Sequence, residues 1–272
     1  MTDDYDPELR PPARPGGADY GSDHGRDFGD EPAPAFRDAP PDFLGPIDST
    51  SPVSGHVPLA ESTGATASLT PEQNWEAAAA LVVPVLRPAG TTGLRIDEID
   101  REALVANANK AHTLPLLGDG PCDLVVAYAL PATGFDVIVN GEHLLAWNVE
   151  PSAVHDAAMA NLAAWSASAD WSDESSGDRR LLSSDTGSGL DAARILLPEV
   201  RDHLTRELAP AGRVLVGLPD RHVLLAGALR PGDDDFAALV RDYVIEHSAD
   251  ADEPIDRRVF ELRGADLVEF AG

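Results

Sequence analysis

Asp191 and Arg194 place a carboxylate and a guanidinium three residues apart on a predicted helix. Side chains at this spacing share a helix face and can form a surface ion pair that anchors the helix. Alternatively, Arg194 could face a cleft and be oriented by Asp191, because a planar guanidinium suits a carboxylate or phosphate ligand. The residue types leave both interpretations open, and the spacing favours the anchoring ion pair.

A second group of polar residues, Asp220, Arg221 and His222, lies at a predicted turn between two strands. Asp is common in turns because its carboxylate accepts hydrogen bonds from nearby backbone, so Asp220 needs no further role. His222 could act as a general acid or base, since its unperturbed pKa is about 6.5. No nucleophile is positioned beside it in the sequence. An enzyme or a small-molecule-binding protein would gather both polar groups around one cleft.

His155 and Asn161 are secondary candidates on one predicted helix, residues 150–166. Asn161 falls near the apolar face of that helix, which predicts a buried amide bonded to neighbouring backbone. His155 precedes an acidic residue but lacks the H-x-x-x-H or H-E-x-x-H spacing of zinc sites. We therefore expect no metal site here.

The glycine-rich segment at residues 187–192 reads Gly-Ser-Gly-Leu-Asp-Ala and formally fits the dinucleotide-binding pattern G-x-G-x-x-A. The preceding strand is short and polar, and Asp185 and Asp191 would face the pyrophosphate, so a helix start is the better interpretation. The chain also lacks the P-loop, G-x-S-x-G and protein-kinase motifs. We expect no cofactor.

The net charge of −27 limits the classes of partner. Such a surface repels phosphate backbones and anionic lipid, and the nearest basic clusters are the pairs at 179–180 and 257–258. Cys122 is the only cysteine, so no internal disulfide can form, and no run of about 18 apolar residues occurs. These features predict a cytoplasmic protein that binds a protein partner or a small ligand, with no nucleic acid and no membrane.

Residues 1–69 are rich in Pro, Gly and Asp and poor in large apolar side chains. Such a segment cannot bury enough apolar surface to offset the entropy lost on ordering, which predicts a disordered leader. A single α+β domain should occupy residues 70–272. Its first helix should begin at Thr70, before a favourable Pro, and end near Val83, because Pro84 disfavours helical geometry in the preceding residue.

The elements that must position the polar candidates follow from hydrophobic periodicity and turn residues. Short hairpins dominate, so we predict a mainly antiparallel sheet with helices packed on one face. Asn140-Gly141 predicts a hairpin turn, residues 170–180 a polar loop, and Pro198 either a kink or the start of a second helix. Further helices are predicted at 97–109, 150–166, 190–208 and 236–247, and strands at 124–130, 135–139, 143–147, 181–183, 213–217, 222–229, 257–262 and 267–270.

Four segments in this order resemble the YtpQ-like family of bacterial proteins of unknown function: residues 83–87, 154–162, 189–196 and 217–224. The third is the most specific, and there Leu190 replaces an aromatic residue and Ala193 a Ser. The family has no assigned catalytic residues, so the resemblance implies a fold and a cytoplasmic setting but no reaction. Together with the missing catalytic motifs, it favours a non-enzymatic interaction or adaptor domain over an enzyme.

Overall fold

Two mainly antiparallel sheets with helices packed on them make up residues 70–272, the part of the chain that the computed structural model describes. The α+β class expected from the sequence is confirmed. The leader predicted at residues 1–69 lies outside the described residues. The prediction of one sheet is wrong, because the strands divide between two sheets.

The first sheet is built around β4, the apolar strand expected from the sequence, which pairs with β1, β3 and β5. All of its pairs are antiparallel except that between β2 and β3. Its strands are β1 (Val83–Arg87), β2 (Leu94–Arg95), β3 (Leu116–Asp119), β4 (Val125–Ala132) and β5 (Phe135–Ile138).

The second sheet is antiparallel throughout and has the strand order β11-β10-β8-β9-β7-β6. The predicted C-terminal hairpin is confirmed as the β10–β11 pair. The strands of this sheet are β6 (Ser172–Ser176), β7 (Arg179–Ser184), β8 (Arg213–Gly217), β9 (Leu224–Leu229), β10 (Val259–Arg263) and β11 (Asp266–Glu269).

Within residues 70–272, six α-helices and one 3-10 helix, Ala192–Leu196, connect and cover the strands. Pro198 starts a new helix rather than kinking the preceding one, since its fixed φ suits a first helical position. The α-helices are α1 (Trp75–Ala79), α2 (Arg101–Ala106), α3 (Gly141–Trp147), α4 (Pro151–Ser166), α5 (Pro198–Leu208) and α6 (Asp234–Asp250).

The two sheets share one apolar core. Leu86 and Tyr128 from the first sheet and Val216 and Phe260 from the second belong to the same buried cluster. Successive side chains of a strand point to opposite faces, so Leu215 belongs instead to a smaller cluster under α6. Helices therefore cover both faces of the second sheet, and not one face as predicted.

The structure differs from the sequence-based prediction at the Asn140-Gly141 segment and at the first helix. The predicted hairpin at Asn140-Gly141 is wrong, because the Asn140 side chain caps α3 by accepting from the backbone N–H groups of Glu142 and His143 at 3.0 and 3.3 Å. The first helix is shorter than predicted: Asn74 caps α1, and Val83 already belongs to β1.

The polar loop predicted at residues 170–180 is also wrong, because β6 and the start of β7 form a hairpin there. All five residues of β6 are exposed. An edge strand with no buried face carries no apolar alternation, so the sequence pattern did not reveal it.

Candidate functional site

Arg194 lies inside the protein with 2% of its surface exposed. Its guanidinium donates to the backbone oxygens of Ser166, Ala169 and Asp170, each at 3.3 Å. It also lies over the ring of Trp171, 4.1 Å from the ring centroid. The carbonyl groups at the end of a helix lack intrahelical donors, and Arg194 donates to one such group, on Ser166, and to two carbonyls just beyond the end of α4. Burial lowers the pKa of this guanidinium.

Asp191 is fully buried and faces the same interior network. Its carboxylate accepts from Ser184 Oγ at 2.5 Å, from Thr186 N at 3.1 Å and from Thr186 Oγ1 at 2.9 Å. The predicted surface ion pair with Arg194 is therefore wrong. Both side chains face inward because the segment that carries them, a 3-10 helix and its entry turn, packs against α4 and the second sheet.

Asp220 and His222 form the turn expected from the sequence. The backbone N–H of His222 donates to Asp220 Oδ1 at 2.6 Å, the hydrogen bond that favours Asp in turns. The imidazole of His222 is exposed and makes no hydrogen bond within residues 70–272. Asp220 thus stabilises the backbone, and His222 has no partner that would orient it for acid–base chemistry.

Arg221 belongs to a chain of alternating charges that links the two sheets. Its Nη2 lies 2.6 Å from Asp136 Oδ2 on β5, and its Nη1 lies 3.0 Å from Glu253 Oε1. Glu253 in turn bonds Arg87 on β1 at 2.6 Å. Burial opposes the charge of Glu253, but the two arginines outweigh it and lower the pKa of this carboxyl group.

These four charges line a cleft of about 760 Å³ together with His222 and the exposed ring of Phe135. We call it the Arg221 cleft. Each arginine in it is already matched by a carboxylate, so the cleft offers no unbalanced charge to an ionic ligand. Of the predicted site residues, Arg221 and His222 line this cleft, whereas Asp191 and Arg194 are buried in a separate network.

Asn161 satisfies backbone groups, as the sequence predicted. Its Nδ2 donates to the carbonyl oxygens of Ala79 and Val82 at 2.9 and 2.8 Å. Ala79 is the last residue of α1 and Val82 lies just before β1, where the carbonyls at the end of the helix lack intrahelical donors. Asn161 therefore fixes α4 against the beginning of the first sheet.

His155 lines a second cleft, of about 400 Å³, which we call the Arg201 cleft. Its Nδ1 lies 2.8 Å from the hydroxyl of Tyr128, a residue with no exposed surface. Burial raises the pKa of Tyr128, so its hydroxyl stays protonated. A side chain at Gly118 would collide with this hydroxyl, because an added Cβ would lie 2.5 Å from it.

A third feature, missed by the sequence analysis, is an exposed aromatic residue among carboxylates. Tyr243 and Leu239 lie one turn apart on the outer side of α6, with 38% and 58% of their surface exposed. Burial raises the pKa of Tyr243, and the negative charges of Asp185, Asp220 and Glu174 raise it further. We call these five residues the Tyr243 surface.

The sheet register independently supports the position of Glu174 on this surface. Glu174 lies directly opposite Leu181 in the β6–β7 pair, and opposite residues share a sheet face. Leu181 packs against the apolar cluster under α6, so Glu174 lies on the side of the sheet that α6 covers. None of the three carboxylates forms a salt bridge within residues 70–272.

Within residues 70–272, no three His, Cys, Asp or Glu side chains come together in an arrangement that could hold a metal ion. None of the helices there combines the length and the apolar character needed to cross a bilayer.

Comparison with known proteins adds no assignment. No protein-family model, curated protein or solved structure matches the chain. The resemblance of four segments to the YtpQ-like family stays a prediction from sequence.

Proposed function

We propose that residues 70–272 form a non-enzymatic interaction domain that binds a basic protein segment at the Tyr243 surface. The observation that carries the proposal is an exposed Tyr and Leu beside three carboxylates that have no salt-bridge partner within the described residues. Charge complementarity to this surface requires a partner rich in Lys or Arg.

The side chains of the Tyr243 surface match the parts of a protein interface. Tyr is enriched among the residues that contribute most to binding, because it buries a large, rigid area at little cost in side-chain entropy. His247 stacks on one side of the Tyr243 ring, with centroids 4.4 Å apart. Within residues 70–272 no second aromatic ring stacks on Tyr243, and its exposed part would attract a cation of the partner.

The carboxylates supply specificity and speed of association. Unpaired negative charge on an interface attracts a cationic partner during diffusional encounter and repels acidic competitors. Such attraction is screened by salt when the charges are exposed. The partner should therefore bind more slowly, and more weakly, as ionic strength rises.

The alternative function, an enzyme or small-molecule binder that uses both predicted polar groups, has less support. Asp191 and Arg194 are engaged with buried serine and backbone groups, and Asp220 bonds backbone. Only Arg221 and His222 reach a common cleft. Catalysis needs an oriented acid, base or nucleophile at that cleft, and His222 has no orienting partner.

Membership of the YtpQ-like family and a cytoplasmic setting belong to the same proposal. The order of the four similar segments supports the first, and the single cysteine supports the second. The absence of nucleic acid and anionic lipid among the partners follows from the net charge of −27.

Affinity measurements with synthetic peptides test this function. The probe is an Arg/Lys-rich peptide that carries one Leu, compared with the same peptide carrying Ser in its place. Tyr243→Ala should weaken binding of the Leu peptide by about tenfold, the loss expected for one interface anchor. The matched control is Val105→Ala, since Val105 is a comparably exposed apolar residue on α2.

Two results would overturn the proposal. One is equal affinity of the Tyr243→Ala and Val105→Ala proteins for the Leu peptide. The other is a Ser peptide that binds as tightly as the Leu peptide, which would indicate attraction to net charge without a defined surface.

A further inference from the structure

We infer that the Arg201 cleft is a binding site for a small organic monoanion with an apolar body. Its carboxylate would accept hydrogen bonds from Arg201 and His155, and its apolar part would lie against Met159, Leu196 and Leu267. The site shares no residue with the Tyr243 surface and does not depend on it.

Arg201 supplies the positive charge of the site. Its Nη1 donates to the carbonyl oxygens of Ile195 and Leu196 at 3.2 and 3.4 Å, which fixes the guanidinium at the end of the 3-10 helix. Its Nε is buried and has no hydrogen-bond acceptor. Within residues 70–272 no carboxylate lies within salt-bridge distance of it.

An unpaired buried N–H group on a charged side chain is costly, and few such groups occur in native proteins. Arg201 itself lines the cleft, so a ligand in the cleft can approach its guanidinium even though the Nε atom is buried. The Arg221 cleft provides the contrast, because its two arginines are both matched by carboxylates. In the Arg201 cleft, by contrast, the lining arginine has no such match within residues 70–272.

His155 supplies the second donor of the proposed site. Its Nδ1 lies 2.8 Å from the hydroxyl of Tyr128, and a hydrogen bond donated by this hydroxyl would place the ring proton on Nε2. Tyr128 is held by β4 and cannot turn away, since it is fully buried beside Gly118. The ring is thus oriented by one nitrogen, and the other remains as a donor for a ligand.

The remaining lining sets the size and charge of the ligand. A cleft of about 400 Å³ suits a small organic molecule, and Val126, Met159, Leu196 and Leu267 give it an apolar wall. Asp119 and Asp266 also line it. Asp119 is paired with Arg95, whereas Asp266 is exposed and unpaired. The cleft therefore repels a multiply charged anion more strongly than a monoanion.

Calorimetric titration of the full chain with octanoate tests the inference, and octanamide serves as a neutral ligand of the same shape. Octanoate should bind about tenfold more tightly than octanamide, because hydrogen bonds to a carboxylate are charge-assisted. Arg201→Gln should abolish that preference. Arg206→Gln, a change at an exposed arginine on the same helix, should preserve it.

A second measurement covers the case in which Arg201→Gln fails to fold. In NMR spectra of the unmodified protein, octanoate should shift the signals of Arg201 Nε and His155 Nε2 and leave those of Arg206 unchanged. The inference is wrong if octanamide binds as tightly as octanoate. It is equally wrong if saturating octanoate leaves the Arg201 and His155 signals in place.

Discussion

Arg194 and Asp191 meet on a single hydroxyl group and not on each other. Ser184 Oγ lies 2.7 Å from Arg194 Nη1 and 2.5 Å from Asp191 Oδ1. The hydroxyl accepts from the guanidinium and donates to the carboxylate, so it satisfies both charges at once. Because Ser184 ends β7 and Arg194 binds the end of α4, this hydroxyl joins the second sheet to a helix of the first.

Arg194→Ala should destabilise the protein strongly. Truncation removes the hydrogen bonds that Arg194 donates to backbone carbonyls at and just beyond the end of α4, and it leaves the buried charge of Asp191 without the nearby guanidinium. We expect the free energy of unfolding to fall by about 3 kcal/mol, as for other broken buried charge networks. Urea denaturation followed by circular dichroism measures it. Arg206→Ala is the control and should change stability by less than about 0.5 kcal/mol.

An Arg194→Ala protein that denatures at the same urea concentration as the unmodified protein would contradict this account. If the same variant also lost the affinity for octanoate or for the basic peptide, Arg194 would belong to a binding site and not to the interior framework.

Stability should decrease in acid through Glu261. Hydrogen bonds from Arg213 at 2.6 Å and Arg263 at 2.8 Å outweigh burial and lower the pKa of this carboxyl group to about 2. A carboxyl group with a lowered pKa stabilises the fold above its unfolded pKa of about 4.3, and this contribution is lost as the pH falls towards 2. Its size should be roughly 2 kcal/mol, since water screens the half-exposed arginines.

The variant Glu261→Gln isolates this contribution. Its stability at neutral pH should be lower, and the loss of stability between about pH 4.5 and pH 2 should be smaller than in the unmodified protein. Glu102→Gln, at an exposed position on α2, should leave the pH profile unchanged. If the free energy of unfolding depended on pH in the same way in the Glu261→Gln and unmodified proteins, the ion pair between Glu261 and Arg213 would contribute nothing to stability.

Duplex DNA should not bind at physiological salt. Three of the four arginines in the basic pairs at 179–180 and 257–258 are matched by carboxylates: Arg179 pairs with Asp233, Arg180 with Asp173, and Arg258 with Asp256. Few cations remain to displace condensed counterions. Fluorescence anisotropy with labelled duplex across about 50–300 mM salt measures this. Tight binding that weakens steeply with salt would contradict it.

Secondary-structure elements that depend mainly on their own residues could be predicted from the sequence. The continuous apolar run predicts the buried strand β4, and two short apolar segments predict the terminal hairpin. Both elements appear where they were expected. Asn140-Gly141 was not decidable, because the same Asn can enter a turn or cap a helix, and tertiary packing selects the cap. The sequence did not predict β6, because a strand that buries neither face shows no apolar pattern.

The candidate site was less predictable than the fold. Arg194 has the sequence spacing of a surface ion pair, and its partners Ser166 and Ser184 are distant in the chain. Arg201 has the sequence environment of an ordinary helix arginine, so nothing local distinguishes it. The hydroxyl group of Tyr128 within an apolar strand was the one sequence feature that pointed to this site, because a buried hydroxyl requires a hydrogen-bond partner.

The location at which a basic segment binds tests the central claim most directly. Hydrogen exchange and NMR shift mapping of the full chain, with and without the Leu-containing Arg/Lys-rich peptide, measure that location. The account predicts shifted signals and added protection at Leu239, Tyr243 and Glu174, and unchanged signals at Val105 on α2. Shifts spread evenly over the acidic surface, or confined to residues away from Tyr243, would contradict it.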